Sequence, residues 1–357
     1  MRSSDSSSFD SGELRLPTYE TIGREAGVSI KTVCNVFRSP DLVRAATKEK
    51  VLRAIRRLGV EDPEVFRARL RPARVVGGGA GGRWLLCLEY GVAPAALSSP
   101  VFAEIIAGAE ARSQELGWQI GLRHASAGTP LADALGGFGG EGVLFFGPRS
   151  DRTRLAAGAV RMPVVELLGP AREAGEWDGV DYDRVMVARL AAEHLKREGC
   201  RKVAYLGSPF ERANYFAAEA IALGMEPVVV TRPDLFVLEG RVQTTNLESL
   251  RSAWREVAAA KPDGVFVYAD QLTNALYGIL ATEDVRPQRD VKLVSCNAEA
   301  AFLSALDPRP ATIDIHPTEI GRRAVDLLVW RIENLSAPPS SVCLRPRLIE
   351  GRKPVSS

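Results

Sequence analysis

Three side chains near the N-terminus, one apolar and two able to form hydrogen bonds, have a spacing that suits contacts along one face of a helix. Ile30 and Lys31 stand at the start of a short amphipathic segment, and Asn35 follows about one helical turn later. A lysine donates hydrogen bonds, and an asparagine both donates and accepts them. An exposed helix face with these side chains can therefore bind a polar partner.

Residues 17–58 supply the elements that must position these side chains. Thr18 and Ser29 can each cap a short helix, and Gly27 permits a sharp reversal between the two, since glycine tolerates a positive φ. A third helix follows a loop centred on Pro40. The apolar positions that would face inward are Ile22, Ala26, Val33, Val36 and Phe37. The spacing predicts a helix-turn-helix whose second helix lies in a major groove.

The charge distribution supports this interpretation. Residues 15–75 carry 14 Lys or Arg and 7 Asp or Glu, a net charge of +7. Because the whole chain has a net charge of +2, the remainder carries −5. A small basic unit on an acidic body is typical of a DNA-binding head. A purely structural three-helix module with solvated basic faces is the alternative.

Composition excludes several other classes. The chain has 357 residues, 46% hydrophobic and 25% charged, which is ordinary for globular domains. It contains no apolar run of about 18 residues and no secretory signal, so we expect a cytoplasmic protein without membrane contact. Five cysteines are scattered without CxxC pairs and three histidines lack ligand spacing: Cys34, Cys87, Cys200, Cys296, Cys343, His124, His194 and His316. Reduced thiols and no metal site are expected.

The segment after Leu58 predicts a short helix and a tether. Pro63 suits the first position of a helix over 64–70, Pro72 stops it, and the glycines from 77 to 82 form a flexible linker. Gly77, Gly79 and Gly82 literally fit a dinucleotide fingerprint. A true fingerprint follows a strand, whereas these glycines precede the first strand-like run of the chain. We therefore expect no dinucleotide or other cofactor.

From Arg83 onward, apolar strand-like runs alternate with helical patterns. This alternation predicts an α/β body of two doubly wound parallel-sheet lobes, with a cleft between them as the ligand site. The expected organisation is a disordered tail (1–14), an all-α helix-turn-helix head (15–60), a hinge helix and linker (61–82), a two-lobed body (83–345) and a C-terminal tail (346–357). Within the body we expect an N-lobe of 83–178 with 298–313 and a C-lobe of 179–297 with 314–345.

The head resembles that of the lactose-repressor/galactose-repressor (LacI/GalR) family of transcription regulators. The matching positions are Thr18, Ile22, Gly23, Ala26, Gly27, Val28, Ser29, Thr32, Val33, Val36 and Phe37, and then Val43, Thr47, Val51, Ala54, Ile55 and Leu58. The body is similar to the family's periplasmic-binding-protein-like core, in segments such as SPVFAEIIAGAEARSQELGW, GVDYDRVMVARLAAEHLKREGCRKVAYLG and PATIDIHPTEIGRRAVDLL.

The resemblance implies a homodimer on a palindromic operator, with Ile30, Lys31 and Asn35 at base edges. Phosphate contacts would come from Thr18, Ser29, Thr32, Arg38 and Lys48. Asn35 as a solvated or phosphate-contacting side chain is the alternative. The 64–70 helix resembles the family's hinge helix, in which Arg67 and Leu70 are the DNA contacts and Leu70 wedges into the minor groove. A surface helix with Leu70 packed on the body is the alternative.

For the cleft, the resemblance places effector contacts after the strand ends, at Tyr90, Phe102, Arg212, Asp270 and Asn297. The chain departs from the family's pattern at Ala269, Tyr215, Ser295 and Asn297, which removes polar groups or space. We therefore predict a DNA-binding regulator, specifically a repressor, whose DNA affinity a small ligand such as a sugar modulates. The alternatives are a constitutive regulator without ligand sensing and, less favoured, an enzyme, since no catalytic motif is found.

Overall fold

The structure is a computed structural model. It describes residues 19–29, 32, 33, 35, 36, 43–60, 83–91, 99–126, 128–147, 162–169, 177–239 and 242–352. The chain divides into two compact units, a head that includes the described part of 19–60 and a body that spans nearly all of 83–352. The hinge and linker predicted at 61–82 lie outside the described residues.

The head contains two bounded helices and a helical segment between them. The helices are α1 (Tyr19–Ala26) and α2 (Ala45–Arg57), and residues 32, 33, 35 and 36 are also helical. The core of the head consists of Ile22, Val33, Val36, Val51, Ile55 and Val60. The predicted inward positions Ile22, Val33 and Val36 are confirmed, with 0%, 0% and 4% exposure.

The body alternates strands and helices over its whole length. Its strands are β1 (Arg83–Tyr90), β2 (Trp118–Ala125), β3 (Gly142–Phe146), β4 (Val164–Leu167), β5 (Asp178–Tyr182), β6 (Lys202–Gly207), β7 (Glu226–Thr231), β8 (Phe236–Glu239), β9 (Val242–Thr245), β10 (Gly264–Val267), β11 (Lys292–Cys296), β12 (Ala311–Asp314), β13 (Ser341–Leu344) and β14 (Arg347–Ile349). Its helices are α3 (Pro100–Glu115), α4 (Leu131–Ala134), α5 (Arg184–Arg197), α6 (Glu211–Ala222), α7 (Leu247–Ala259), α8 (Asp270–Thr282), α9 (Ala300–Leu303) and α10 (Pro317–Glu333).

Two six-stranded sheets form the two lobes. The first has the order β13-β5-β4-β3-β1-β2 and is parallel throughout. The second has the order β14-β12-β11-β10-β6-β7 and is parallel except for β14, which runs antiparallel to β12. The predicted α/β class with two parallel-sheet lobes is therefore confirmed. Strands β8 and β9 form a separate antiparallel hairpin.

Three predicted boundaries within the body are wrong. Residues 298–313 lie in the second lobe, because β12 pairs with β11. Residues 317–344 lie in the first lobe, because α10 packs on α3 and β13 pairs with β5. The segment predicted as a C-terminal tail contains β14, which pairs with β12 at the edge of the second sheet. Strand pairing over long sequence separations decides these assignments.

Helices α3 and α10 approach each other closely through two glycines. A Cβ at Gly108 would lie 2.0 Å from the carbonyl oxygen of Thr318, and one at Gly321 would lie 1.9 Å from that of Ile105. Any side chain at either position would therefore force the backbones apart. Both helices pack against strands of the first sheet.

A buried ion pair ties α10 to the first sheet. The Nε and Nη2 of Arg331 donate to the two carboxylate oxygens of Asp178, at 2.6 and 2.8 Å. Asp178 also accepts from the amide of Ser340, and Arg331 donates to the carbonyl oxygens of Asn334, Ala337 and Pro338. The Arg331 and Asp178 side chains are 9% and 2% exposed. This network joins α10, β5 and the segment that leads into β13.

Among the described residues, no helix is long and apolar enough to cross a membrane. No group of three or more His, Cys, Asp or Glu side chains in this part of the chain could hold a metal ion. The cysteines at 87, 200, 296 and 343 are free thiols.

Candidate nucleic-acid interface and ligand cleft

The turn between the first two helical segments of the head has the predicted chemistry. Gly27 has a φ of +65°, a conformation that a residue with a Cβ rarely adopts. The hydroxyl of Ser29 accepts from the amide of Thr32 at 3.1 Å, which makes Ser29 the N-cap of the second segment. The Ser29 and Thr32 hydroxyls also lie 2.8 Å apart in a hydrogen bond. The turn therefore determines where the helical segment with residues 32, 33, 35 and 36 starts and which of its side chains face away from the core of the head.

The head presents polar side chains on an outer surface around this turn. Ser29 is exposed, and Thr32, Asn35 and Lys48 are half-buried, so each retains some accessible surface. Six predicted DNA contacts fall outside the described residues: Thr18, Ile30, Lys31, Arg38, Arg67 and Leu70. Helix α2 adds further positive charges. Arg53 and Arg57 lie 4.0 and 3.6 Å from Glu49 and Glu25, and such exposed ion pairs contribute little.

The body has a cavity of about 310 Å³ at the carboxyl ends of its strands. It is lined by Leu168, Arg184, Phe210, Glu211, Arg212 and Tyr268. Leu168 follows β4 of the first sheet, whereas Phe210 and Tyr268 follow β6 and β10 of the second. The cavity therefore lies where the two lobes meet, which is where the sequence predicts the ligand cleft.

Arg212 is the buried cation of this cavity. It is 6% exposed, and its two terminal nitrogens donate to the carbonyl oxygen of Tyr268 at 2.6 Å and to the hydroxyl of Tyr182 at 2.7 Å. Its guanidinium carbon lies 4.5 Å from the centre of the Tyr268 ring. Both hydrogen-bond acceptors are neutral. Arg212 is therefore held rigidly at the cavity wall with its positive charge uncompensated by these contacts.

A second arginine at the wall is already paired. Arg184 donates from Nε to Asp181 Oδ2 at 3.0 Å and from Nη2 to the carbonyl oxygen of Leu168 at 2.7 Å. This contact joins the end of β4 to the start of α5. Asp183 caps α5 by accepting from the amide of Met186 at 2.8 Å.

Two of the remaining predicted effector residues are closed to solvent. Phe102 is 3% exposed, and its ring centre lies 4.7 Å from that of Phe146. Asp270 is 0% exposed and accepts from the amide of Glu299 at 2.7 Å and from the hydroxyl of Thr312 at 2.9 Å. Phe102 packs in the core, and Asp270 holds α8 to the segment between β11 and β12.

Tyr90 and Asn297 are half-buried but are not among the lining residues of the cavity. The Tyr90 hydroxyl donates to the carbonyl oxygen of Thr129 at 2.7 Å. Asn297 has a φ of +106° and donates to a Glu299 carboxylate oxygen at 3.3 Å. Of the five predicted residues, only Arg212 lines the described cavity. Sequence reasoning missed three lining residues that lie at the ends of elements. Phe210 directly precedes α6, Tyr268 directly follows β10, and Arg184 is the first residue of α5.

Glu299 is a buried carboxylate near the boundary between the two lobes, and the sequence did not single it out. It is 4% exposed and belongs to the second lobe, and the nearby amide of Val101, at the start of α3 in the first lobe, acts to lower its pKa. The Ser99 side chain does not cap α3, so the free amides at the start of this helix favour a negative charge nearby. Burial, followed by the negative charge of Asp270, raises the pKa of Glu299 from 4.5 to about 7.

This buried carboxyl should make the stability of the body depend on pH. Because the pKa of Glu299 is higher in the folded state, the folded protein binds more protons than the unfolded chain between about pH 4.5 and 7. The free energy of unfolding should therefore decrease as the pH rises through this window. Asp270, whose pKa burial raises to about 6, acts in the same direction. Glu299→Gln should stabilise the protein at pH 8 by an amount on the order of 1–3 kcal/mol.

Urea unfolding at pH 4.5 and pH 8 measures this effect. The Glu299→Gln protein should gain stability over the wild type at pH 8 and little at pH 4.5. Glu193→Gln, on the exposed surface of α5, is the matched control and should follow the wild type at both pH values. A Glu299→Gln protein with the pH dependence of the wild type would show that this carboxyl does not titrate between the two states.

Both units, the head and the body, are similar to known protein families. A sequence model described as bacterial regulatory proteins, lacI family, matches residues 19–60. A second model, described as a periplasmic binding protein-like domain, matches residues 192–352. The HTH-type transcriptional regulator CelR of Thermobifida fusca is 28% identical, over 94% of this chain and 97% of its own length. The maltose regulon regulatory protein MalI of Escherichia coli (strain K12) is 29% identical, over 58% of this chain and 60% of its own length.

Solved structures share the fold over most of the chain. A transcriptional regulator CelR–cellobiose complex has a TM-score of 0.63 at 24% identity, covering 94% of this chain and 99% of its own. A lac repressor dimer bound to operator and the anti-inducer ONPF also has a TM-score of 0.63, at 18% identity, covering 96% and 100%. A small helical head followed by a two-lobed body is a fold that this chain shares with these proteins.

Proposed function

Because this chain belongs to the LacI family of bacterial regulatory proteins, we propose that it is a repressor that binds a palindromic operator as a homodimer and responds to a small ligand in the interlobe cavity. It is a DNA-binding transcriptional regulator, as its relatives are. The operator half-site would be read by the helix that Ser29 caps, with Asn35, Lys31 and Ile30 toward the bases. The observation that supports this assignment is the capped turn from Gly27 to Thr32, after which Val33 and Val36 are buried while Thr32 and Asn35 keep accessible surface.

Three further parts of the proposal rest on the family resemblance. The 64–70 segment would form a hinge helix that contacts the minor groove through Arg67 and Leu70. Thr18, Ser29, Thr32, Arg38 and Lys48 would hold the DNA backbone. Palindromic operators match the two-fold symmetry of a dimer, and the solved relative bound to operator is a dimer.

The cavity supports a ligand that offers oxygen acceptors and an apolar ring face. Arg212 is a fixed donor with neutral protein partners, and Tyr268 and Phe210 form an aromatic pair whose ring centres lie 6.0 Å apart. Aromatic faces and hydrogen-bond donors together suit sugars and sugar acids. The solved CelR relative is a cellobiose complex, so cellobiose and its acid, cellobionate, are the first ligands to screen. Tyr90 and Asn297 remain predicted contacts.

Selection of random DNA by the purified full chain tests the DNA-binding part. We expect a palindrome, with each half-site bound by one head. Asn35→Ala should weaken binding to the selected sequence by about 1–3 kcal/mol and relax the base preference at one position of each half-site. Lys48→Ala should instead weaken binding to all sequences equally and reduce the slope of log affinity against log salt by about 1.

Arg255→Ala, on the exposed surface of α7 in the body, is the control for a lost positive charge. It should leave both the affinity and the sequence preference unchanged. Recovery of sequences without any shared motif would contradict sequence-specific recognition, and a single unpaired half-site would contradict the dimer.

A constitutive regulator that lacks ligand sensing is the second candidate, because Asp270 and Phe102 are closed to solvent. A thermal-shift screen against neutral sugars, sugar acids and nucleosides separates the two. A ligand that raises the unfolding temperature and lowers operator affinity supports the ligand-responsive repressor. No response to any of these ligand classes supports the constitutive regulator.

A further inference from the structure

A second cavity, of about 470 Å³, lies in the second lobe. We call it the end pocket. Its lining includes His194, Arg197, Lys292, Arg309, Glu350 and Arg352. Lys292 is the first residue of β11, and Arg309 lies just before β12, so the pocket opens at the amino ends of the strands. The ligand cleft lies at their carboxyl ends.

The two cavities are distinct sites. Arg184, at the start of α5, lines the cleft, whereas His194 and Arg197, near the end of the same helix, line the end pocket. A helix rises 1.5 Å per residue, so the two sites are separated by roughly 15–20 Å along α5. No small molecule bound at Arg212 reaches both.

The end pocket carries an excess of positive charge. Its two carboxylates are already paired, Glu350 with Arg197 at 3.3 Å and Glu198 with Lys292 at 3.6 Å. Arg309 and Arg352 have no carboxylate partner among the described residues. Burial lowers the pKa of His194, so this side chain is uncharged at neutral pH and contributes a donor or acceptor only. Two positive charges therefore remain uncompensated.

The neighbouring acid does not cancel this excess. Asp263 lies at the same end of the sheet, but it does not line the pocket. Its carboxylate accepts from the amides of Arg201 and Lys202, at 2.7 and 2.9 Å. Its charge is therefore directed into the loop between α5 and β6.

Arg309 supplies an unused hydrogen-bond donor. Its Nε is buried, and no described atom accepts a hydrogen bond from it. A buried donor without an acceptor is costly, and most buried donors in proteins are satisfied. A guanidinium presents its donors as a rigid fork that matches the oxygens of a phosphate or carboxylate. Arg309 is thus the side chain that an anion in this pocket would satisfy.

The backbone around Arg309 is fixed by the C-terminal strand. The amide of Arg352 donates to the carbonyl oxygen of Arg309 at 2.8 Å. A Cβ at Gly351 would lie 2.4 Å from that same oxygen, so only glycine permits this approach. Pairing of β14 with β12 therefore brings the backbone of Arg352 beside that of Arg309, and both residues line the pocket.

We propose that the end pocket binds a phosphomonoester dianion, with Arg309 and Arg352 as its principal ligands. A phosphate group carries about −1.5 to −2 charges at pH 7, which matches the two uncompensated arginines. The cavity volume is within the range of roughly 300–1,000 Å³ that is typical of small-molecule sites. The phosphate could be free or attached to a sugar, and both share this chemistry.

Isothermal titration of the full chain at pH 7.5 and constant ionic strength tests the proposal. The probes are inorganic phosphate, glucose 6-phosphate and glucose. We expect the two phosphates to bind and Arg309→Gln or Arg352→Gln to weaken that binding by about tenfold or more. Arg255→Gln, which removes the same charge from the exposed surface of α7, should change it by less than about twofold.

The two phosphate probes distinguish the sources. Equal affinity for both identifies a free-phosphate site, and tighter binding of glucose 6-phosphate identifies a phosphorylated metabolite. Circular dichroism and urea unfolding show whether each variant is folded. The proposal is overturned if neither phosphate binds with a Kd below about 10 mM. It is also overturned if the folded Arg309→Gln and Arg352→Gln proteins bind phosphate with the affinity of the wild type.

Discussion

Replacing Arg331 with alanine is expected to lower the free energy of unfolding by about 3–5 kcal/mol. The guanidinium makes a two-point contact with the buried Asp178 and reaches three further carbonyl oxygens. Without it, Asp178 remains as a buried charge whose main partner is missing, which costs more than the pair itself contributes. Urea unfolding at neutral pH measures the loss.

A second arginine on the same helix provides the control. Arg323 pairs with Glu319, but its side chain is 53% exposed, so Arg323→Ala should cost no more than about 1 kcal/mol. If Arg331→Ala does not fold, Arg331→Lys gives a measurable intermediate, because lysine keeps the charge and lacks the planar fork. An Arg331→Lys protein as stable as the wild type would contradict the importance of the two-point contact.

Arg212→Met is expected to raise the ligand concentration needed for operator release by about 10–100-fold. Methionine fills much of the same volume but cannot donate, so the ligand loses a charged donor that is held in place by Tyr268 and Tyr182. Operator affinity without ligand should stay within about threefold of the wild type, since Arg212 lies in the body. Fluorescence anisotropy with labelled operator measures both quantities for the ligand that the thermal-shift screen identifies.

Arg255→Met is the matched control, because it removes an arginine from the exposed surface of the same lobe. It should release operator at the wild-type ligand concentration. The role of Arg212 is contradicted if Arg212→Met also releases operator at that concentration. A loss of operator affinity in the absence of ligand would instead indicate that Arg212 supports the fold.

The sequence predicted the parts of the fold that depend on local pattern. Strands β1, β3, β6 and β10 are central and buried, so each is a continuous apolar run that stands out from its surroundings. The edge strand β2 contains Gly121, Arg123 and His124 and is partly exposed, so its pattern is weak. The lobe assignments of β12 and β13 depend on pairing between distant segments, which no local pattern encodes.

In the candidate sites too, local features could be predicted from the sequence, whereas contacts between distant residues could not. Ser29 and Gly27 were predicted correctly because a helix cap and a positive φ are local properties. Asp270 was predicted as an effector contact from its position after a strand, yet its carboxylate is used by Glu299 and Thr312. A sequence does not reveal whether a carboxylate at a helix start faces a ligand or its own fold. The pairing that brings Arg352 beside Arg309 is equally invisible in the sequence.

The order in which the chain is synthesised does not match the order of its lobes. The first lobe begins at β1, but it needs α10 to cover α3 and β13 to complete its sheet, and both come from the last fifth of the body. All strands of the second sheet except the edge strand β14 lie between β6 and β12. On the ribosome, the second lobe can therefore close while the first still exposes the apolar face of α3. A truncation before residue 317 would leave that face permanently open to chaperones and proteases.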